Sequence, residues 1–385
     1  MKKPLLLAAI SLAAILLLAG CGGGGSTAAV AGASAQQAAE TEAAEVATAT
    51  ETNETAEESD LGGSLEADGT SGDKLPQRSS EPAAVPQRSS EPAAVSGSPT
   101  VYFTSDISAE GLVRIYEALG WTPSGKTAVK ISTGEPPASN YLRPELIGDL
   151  VQKLDGTIVE CNTAYGGSRA SSAMHRQVAE DHGFTAIADF DLMDEEGEVE
   201  WPVTGGSRLD KIIVGSHAEN YTDWVILSHF KGHAMAGFGG AIKNVGIGIS
   251  SPSGKVYVHS AGTRTSGSIM HSDQDEWLEA LAEMVSGFRD HVGEEHIIYI
   301  NVMNRLSVDC DCDGNPDEPD MHDIGILASF DPVALDQACV DLVYQAQDSE
   351  ALVNRIESRN GIHTLEHAEE IGLGSRTYEL VSIDE

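Results

Sequence analysis

The chain has 385 residues and a net charge of −37, from 23 basic and 60 acidic side chains. No basic face is available to meet a phosphate backbone, which excludes nucleic acid as a partner. The length allows two ordinary domains as a prior, but only residues 100–385 keep the apolar content of a folded core.

At the amino terminus Lys2 and Lys3 precede an apolar run from Leu5 to Leu18, which ends in Leu18-Ala19-Gly20-Cys21. This is the order of an export signal, and the run is too short for a comfortable membrane span. A cysteine directly after Leu-Ala-Gly resembles the lipobox of bacterial lipoproteins, whose sulfur receives a diacylglyceryl group and becomes the new amino terminus. Residues 1–20 are therefore expected to be a signal peptide and Cys21 the lipidation site, placing the protein on the extracytoplasmic side of the cell membrane or envelope. Two or three acyl chains, at about 0.8 kcal/mol per buried CH₂, hold such an anchor in place. Residues 21–99 are Ala, Glu, Thr, Ser and Gly with almost no large apolar side chain, a composition that predicts a disordered tether. The decapeptide Pro76–Val85 recurs at Pro86–Val95 and reads as a stiffened linker, not a folding repeat.

Beyond Val101, helical-period and short β-branched segments alternate. Ser108 to Leu119 places Leu112, Ile115, Tyr116 and Leu119 on one helical face. Strands are predicted at Ala128–Ile131, Thr157–Cys161, Trp224–Ser228, Ile297–Val302 and Ile324–Ala328. Helices are predicted from Pro144, with Pro at the first position, and over Asp275–Arg289 and Pro332–Tyr344. The alternation predicts an α/β fold with a mostly parallel central sheet flanked by helices. Ligands in such sheets gather at the carboxyl ends of the strands.

The residues following these strands are chemically rich. Lys130 to Glu135 is Lys-Ile-Ser-Thr-Gly-Glu. Cys161 to Arg169, Cys-Asn-Thr-Ala-Tyr-Gly-Gly-Ser-Arg, offers Asn162, Arg169 and backbone amides that could cradle an anion before a helix containing His175, or form a plain capped turn. His229-Phe-Lys-Gly-His233 runs into a glycine-dense stretch with Gly237, Gly239, Gly240, Lys243 and Asn244. Two histidines four apart can share a helical face and bind a metal, while the lysines and exposed amides suit an anionic ligand. The segment matches neither a zincin motif nor a Walker loop.

Asp309-Cys-Asp-Cys-Asp-Gly-Asn-Pro-Asp-Glu-Pro-Asp320 supports two readings. By acid spacing it approximates a calcium loop with Gly314 at position 6, although Asp320 replaces the usual Glu at position 12. By sulfur, Cys310 and Cys312 are soft ligands for a transition metal or an iron–sulfur cluster, with histidines as partners. Cys161 and Cys339 are the other thiols of the domain, and a Cys-x-Cys pair bonded to itself is expected to be strained. Further on, Asp331 caps the helix from Pro332, and Asp323 and Asp336 flank the same strand-to-helix turn, within reach of a metal or a substrate hydroxyl.

Taken together, His-Phe-Lys-Gly-His with the following Lys-Asn run, Asn-Thr-x-Tyr-Gly-Gly-Ser-Arg, Cys-Asp-Cys and Asp-Ile-Gly-Ile-x-Ala-Ser-x-Asp-Pro-Val-Ala-x-Asp-Gln resemble the family known as domain of unknown function 362, from Val101 to about Tyr344. The resemblance implies an iron–sulfur-centre protein, since members are commonly described so and many carry a ferredoxin-like module. This chain lacks the Cys-x-x-Cys-x-x-Cys run of that module, leaving Cys310 and Cys312, with Cys161, as matching thiols. The expectation is a membrane-anchored, metal- or cluster-assisted redox enzyme with His229, His233, Cys310 and Cys312 as ligands and Lys231, Lys243 and Asp323 as catalytic groups. The alternative is a non-catalytic surface protein that binds an anionic small molecule, calcium, or both.

Overall fold

A computed structural model describes residues 97–270 and 273–384, all within one compact unit, Ser89–Glu385. The expected signal peptide, Cys21 and all but the end of the tether lie outside the described residues. Among the described residues no helix is long and apolar enough to cross a membrane.

The strand β1 (Thr100–Thr104) leads to α1 (Ala109–Ala118), whose cap Ser108 accepts from the Gly111 amide at 3.0 Å. Then come β2 (Thr127–Lys130), α2 (Pro144–Lys153) with its proline in the first turn, and β3 (Thr157–Glu160). The helix α3 (Ser172–Asp181) and the strand β4 (Phe190–Leu192) precede a hairpin of β5 (Glu198–Pro202) and β6 (Lys211–Gly215). Next is β7 (Asp223–His229), buried along its whole length, and a second hairpin of β8 (Lys231–His233) and β9 (Gly237–Gly239). Two short helices, α4 (Ala241–Gly246) and α5 (Pro252–His259), are followed by α6 (Gln274–Val292), capped by Asp273. From β10 (Ile297–Met303) a loop carrying Cys310 and Cys312 reaches β11 (Gly325–Ser329) and then α7 (Pro332–Gln345), where Asp331 accepts from the amides of Val333 and Ala334 as expected. The chain ends with α8 (Glu350–Ser358), α9 (His363–Glu370) and β12 (Glu379–Ser382).

Eight strands form one sheet in the order β12-β1-β11-β10-β7-β2-β3-β4. Every neighbouring pair is parallel except the two that involve β11, so β11 alone runs against the rest and the sheet is mostly parallel. Alternation along the strands feeds two cores. Val225 and Leu227 join Val129, Ile158, Ile298 and Ile300 under α1 and α2, while Trp224 and Ile226 join Ala128, Val159 and Tyr299 under α6 and α7. The five parallel strands β10, β7, β2, β3 and β4 end together, and the functional chemistry lies at that carboxyl edge.

Two expectations are corrected at this level. His229 and His233 do not share a helical face; one ends β7 and the other ends β8, because the burial of Trp224 to Phe230 on both faces selects extended chain. Cys310 and Cys312 are bonded to each other. The turn at Asp311 brings their Cα atoms to 5.3 Å, inside the range a disulfide accepts.

Candidate functional site

The last residues of β2, β3 and β7 are Lys130, Glu160 and His229, and all three face a cavity of about 230 Å³. Lys130 Nζ donates to Glu160 at 2.8 Å and to the Asn244 side-chain oxygen at 3.1 Å. The amide of Asn244 in turn donates to the carbonyls of Lys130 and Leu227, at 3.1 and 3.2 Å, so α4 is riveted to the ends of two strands. Arg169 stands 3.7 Å from Glu160. Burial alone would raise the Glu160 carboxyl, but Lys130, then His175 and Arg169, outweigh it and hold it at about 2.

The loop after β10 forms the facing wall. Asp311, at the apex of the cysteine turn, points inward and pairs with His229 Nδ1 at 2.7 Å and Lys231 Nζ at 2.9 Å. Lys231 first, and then His229, keep its carboxyl well below the usual range against the effect of burial. Cys310 and Cys312, on either side of Asp311, line the same cavity as His233. One ligand atom each of His233, Cys310 and Cys312 lies within 4.8 Å of the others, the only such group of ligating side chains among the described residues. His233 Nδ1 accepts from the amides of Ala236 at 2.9 Å and Met235 at 3.2 Å, which puts the proton of the neutral ring on Nε2. Burial, followed by the charge of Lys243, drives His233 far below its ordinary range and keeps it neutral.

Two further lysines enter the cavity. Lys255 of α5 donates to the Ser250 carbonyl at 2.5 Å, and burial lowers it. Lys243 of α4 has no hydrogen-bond or ion-pair partner among the described residues. Desolvation, then the charge of Lys231, pushes it down to about 7. A Cβ at Gly239 would stand 3.3 Å from the stem of Lys243 and 3.7 Å from that of Lys231, so the bare glycine lets both lysines pass to the cavity.

The structure brings together His233, Cys310, Cys312, Lys231, Lys243, Asn244, Arg169, Gly239 and Gly240 of the residues singled out in the sequence. Of the other four, three fall elsewhere and His229 lines the cavity in a different role. Both ring nitrogens of His229 are engaged, Nδ1 by Asp311 and Nε2 by the Asn304 carbonyl at 2.7 Å, so His229 borders the cavity without a lone pair to give a metal. Asp323 is exposed, receives the Arg305 amide at 2.6 Å and does not reach the cavity. Asn162 serves its own turn, meeting Ser172 at 3.0 Å and Asp194 at 3.0 Å. Gly237, at φ +82°, lies against the backbone of Ile356 and Gly361.

The segment before α3 does cradle an anion, but the anion is the protein's own. Glu135 accepts from the Ser168 amide and from Arg169 Nε, the latter at 3.0 Å. Asp336 caps α4 through the amides of Ala241 and Ile242, at 2.8 and 3.0 Å, and burial raises it to about 6. The calcium reading does not survive, because Asp311 is spent on His229 and Lys231 while Asp309 accepts from the Asp317 amide and lies 3.6 Å from Arg355. Nor does the donor set reach the four thiolates of an ordinary iron–sulfur cluster. Burial raises the Cys161 thiol to about 12 and holds it against the Ile249 carbonyl, and Cys339 is sealed in the core.

Lys130, Glu160 and Lys255 were not assigned to the site from sequence. A lysine and a glutamate at the ends of otherwise apolar strands were the available signal.

Fold and site together define an α/β protein with a cationic cavity at the carboxyl edge of its sheet and a sulfur–imidazole group in the cavity wall, a set able to hold a metal ion. The chain belongs to the family described as Domain of unknown function (DUF362), whose model matches residues 127–341 and so spans every charged residue of the cavity. No curated protein matches the chain. Among solved structures, the lactate racemase apoprotein from Thermoanaerobacterium thermosaccharolyticum aligns at 15% identity and a TM-score of 0.35, covering 54% of this chain and 50% of that one. A protein from Thermotoga maritima aligns at 13% identity and a TM-score of 0.35, covering 68% of this chain and 58% of that one. The chain thus spans about half the length of the structures it matches, and the likeness is remote.

Proposed function

We propose that the protein is an exported, lipid-anchored redox protein that takes a small anionic molecule into this cavity, and that the reduced Cys310–Cys312 pair and His233 bind one transition-metal ion. The observation that carries the reading is the meeting of His233, Cys310 and Cys312 within 4.8 Å beside a cavity that also holds Lys130, Lys231 and Lys243. Reduction by an external dithiol adds two electrons and two protons to the S–S bond, leaving two thiols here and a disulfide on the reductant. Metal binding then releases those protons, since thiolate is the ligand, and the His233 ring must turn or lose its Nε2 proton. Sulfur and imidazole favour zinc, copper or iron over calcium and magnesium. Three protein ligands leave a position open, as in catalytic sites. A bound ion supplies Lewis-acid or electron-transfer chemistry; the lysines bind and orient the anion. The export reading rests on Lys2, Lys3, the apolar run and Cys21.

A metal-free dithiol–disulfide centre is a second reading. It is favoured by the bonded sulfurs and by the two amides already held by His233 Nδ1. One experiment separates the two. The full chain is reduced with a phosphine under nitrogen, freed of reductant and offered zinc; bound metal and free thiols are then counted. The expected result is one zinc per chain, lost in Cys310→Ser/Cys312→Ser and weakened in His233→Ala. Two reactive thiols with no retained zinc establish the dithiol reading instead, and zinc retained by the double serine variant would sink sulfur ligation altogether.

A further inference from the structure

The basic and acidic groups lining the cavity do not balance. Lys130, Arg169, Lys231, Lys243 and Lys255 line it with the carboxylates Glu160 and Asp311, and Glu135 pairs with Arg169 from outside the lining, so two basic groups are left over. The ion pairs say which two. Lys130 belongs to Glu160, Arg169 to Glu135 and Glu160, and Lys231 to Asp311. Lys243 and Lys255 have no carboxylate within 4.0 Å among the described residues; Lys255 holds only a backbone carbonyl and Lys243 nothing. Burial without a counter-charge disfavours the ammonium form of both lysines, and a ligand that brings the counter-charge restores it. Such a surplus is the more pointed in a chain of net charge −37.

The two lysines stand at different ends of the cavity. The stem of Lys243 lies beside that of Lys231, just past β7, as both flank Gly239, whereas Lys255 holds the Ser250 carbonyl, next to Ile249, whose own carbonyl meets Cys161 just past β3. The strand β2, ending in Lys130, runs between β7 and β3 in the sheet. One compact dianion, such as phosphate, would need its donors to converge on a point; two separated ammoniums suit two separated anionic groups. Ile247 and Ile269 also line the cavity and offer apolar surface to a short hydrocarbon link. The volume of about 230 Å³ is below that of drug-sized sites and fits a small ligand.

We propose that the cavity is a site for a small dicarboxylate, one carboxylate paired with Lys243 on the side of the Cys310–Cys312 sulfurs and the other with Lys255. The proposal rests on the reading of the cavity as an anion site and adds the number and spacing of the ligand's charges. It is independent of the metal. Full-length oxidised, metal-free protein is titrated calorimetrically with malonate, succinate, acetate and inorganic phosphate. A dicarboxylate is expected to bind about tenfold or more tighter than acetate or phosphate, a gain of about 1.4 kcal/mol. Lys243→Met should bring the dicarboxylate down to the level of acetate, and Lys243→Arg, which keeps the charge, should restore most of the difference. Removal of an unpaired charge does not endanger the fold, and a matched thermal midpoint confirms that the Met variant is folded. Equal binding of acetate and dicarboxylates, tighter binding of phosphate, or an unchanged Lys243→Met variant overturns the dicarboxylate while leaving an anion site in place. No heat from any of the four anions overturns the anion reading itself.

Discussion

Glu160 shows how a single buried carboxylate organises this cavity. It sits 2.8 Å from Lys130, 3.7 Å from Arg169 and 4.0 Å from His175, and accepts from the Thr133 amide at 2.9 Å. Desolvation pushes its carboxyl up; the surrounding cations, Lys130 foremost, push it further down, to about 2 from an ordinary 4.5. A carboxyl held below its unfolded value stabilises the fold above that value and loses the contribution as pH falls through the folded one. Stability should therefore decline between about pH 4.5 and 2 through this group. Glu160→Gln leaves Lys130 and Arg169 without their shared partner and is expected to cost about 3–5 kcal/mol at neutral pH, the range for breaking a buried pair from one side. Urea unfolding across a pH series is the measurement. In the variant the acid-side slope should flatten; an unchanged slope would mean that other carboxylates, such as Glu283, also held at about 2, carry the acid sensitivity.

Among the described elements, α4 is the shortest α-helix and the one on which the cavity most depends, since it carries Lys243 and Asn244. Its first amides are capped by Asp336 of α7, which is also held by Asn301 of β10 at 2.7 Å. A Cβ at Gly240 would come within 2.3 Å of Asp336 Oδ1. Gly240→Ala must push the cap off the helix, so a loss of about 1–3 kcal/mol is expected, with weaker anion binding because Lys243 moves. A melt and the same calorimetric titration check both, and a variant with native binding would show that α4 is anchored by Asn244 alone. About half of the described elements were legible in the sequence, because their signals are local. The apolar run of β7 and β10, Pro144 and Pro332 in first turns, and Asp331 as a cap each mark an element from within a few residues. The reversed strand β11 and the hairpin of β8 and β9 were not, since pairing direction depends on partners far along the chain. The site divides in the same way. Lysines and histidines after strands pointed to the right edge of the sheet. That Glu135 fills the turn at Arg169, and that Asp311 takes both His229 and Lys231, are contacts between residues 34 and more than 79 positions apart, which no local pattern encodes.

For the molecule as a whole, net charge bears on the proposed anchor. A chain of net charge −37 is repelled by an anionic lipid surface, so under the proposed localisation attachment would fall to acyl chains on Cys21 and not to electrostatics. Cys21→Ser removes the only attractive term. The variant should appear in the soluble fraction of fractionated cells while the parent sediments with membranes and resists a high-salt wash. Residues 97–385 alone should not sediment with vesicles containing anionic lipid at any ionic strength. If the Cys21→Ser chain stayed on membranes through the salt wash, attachment would have to come from the apolar run before it, retained as a span and not cleaved, and the lipid anchor would be abandoned.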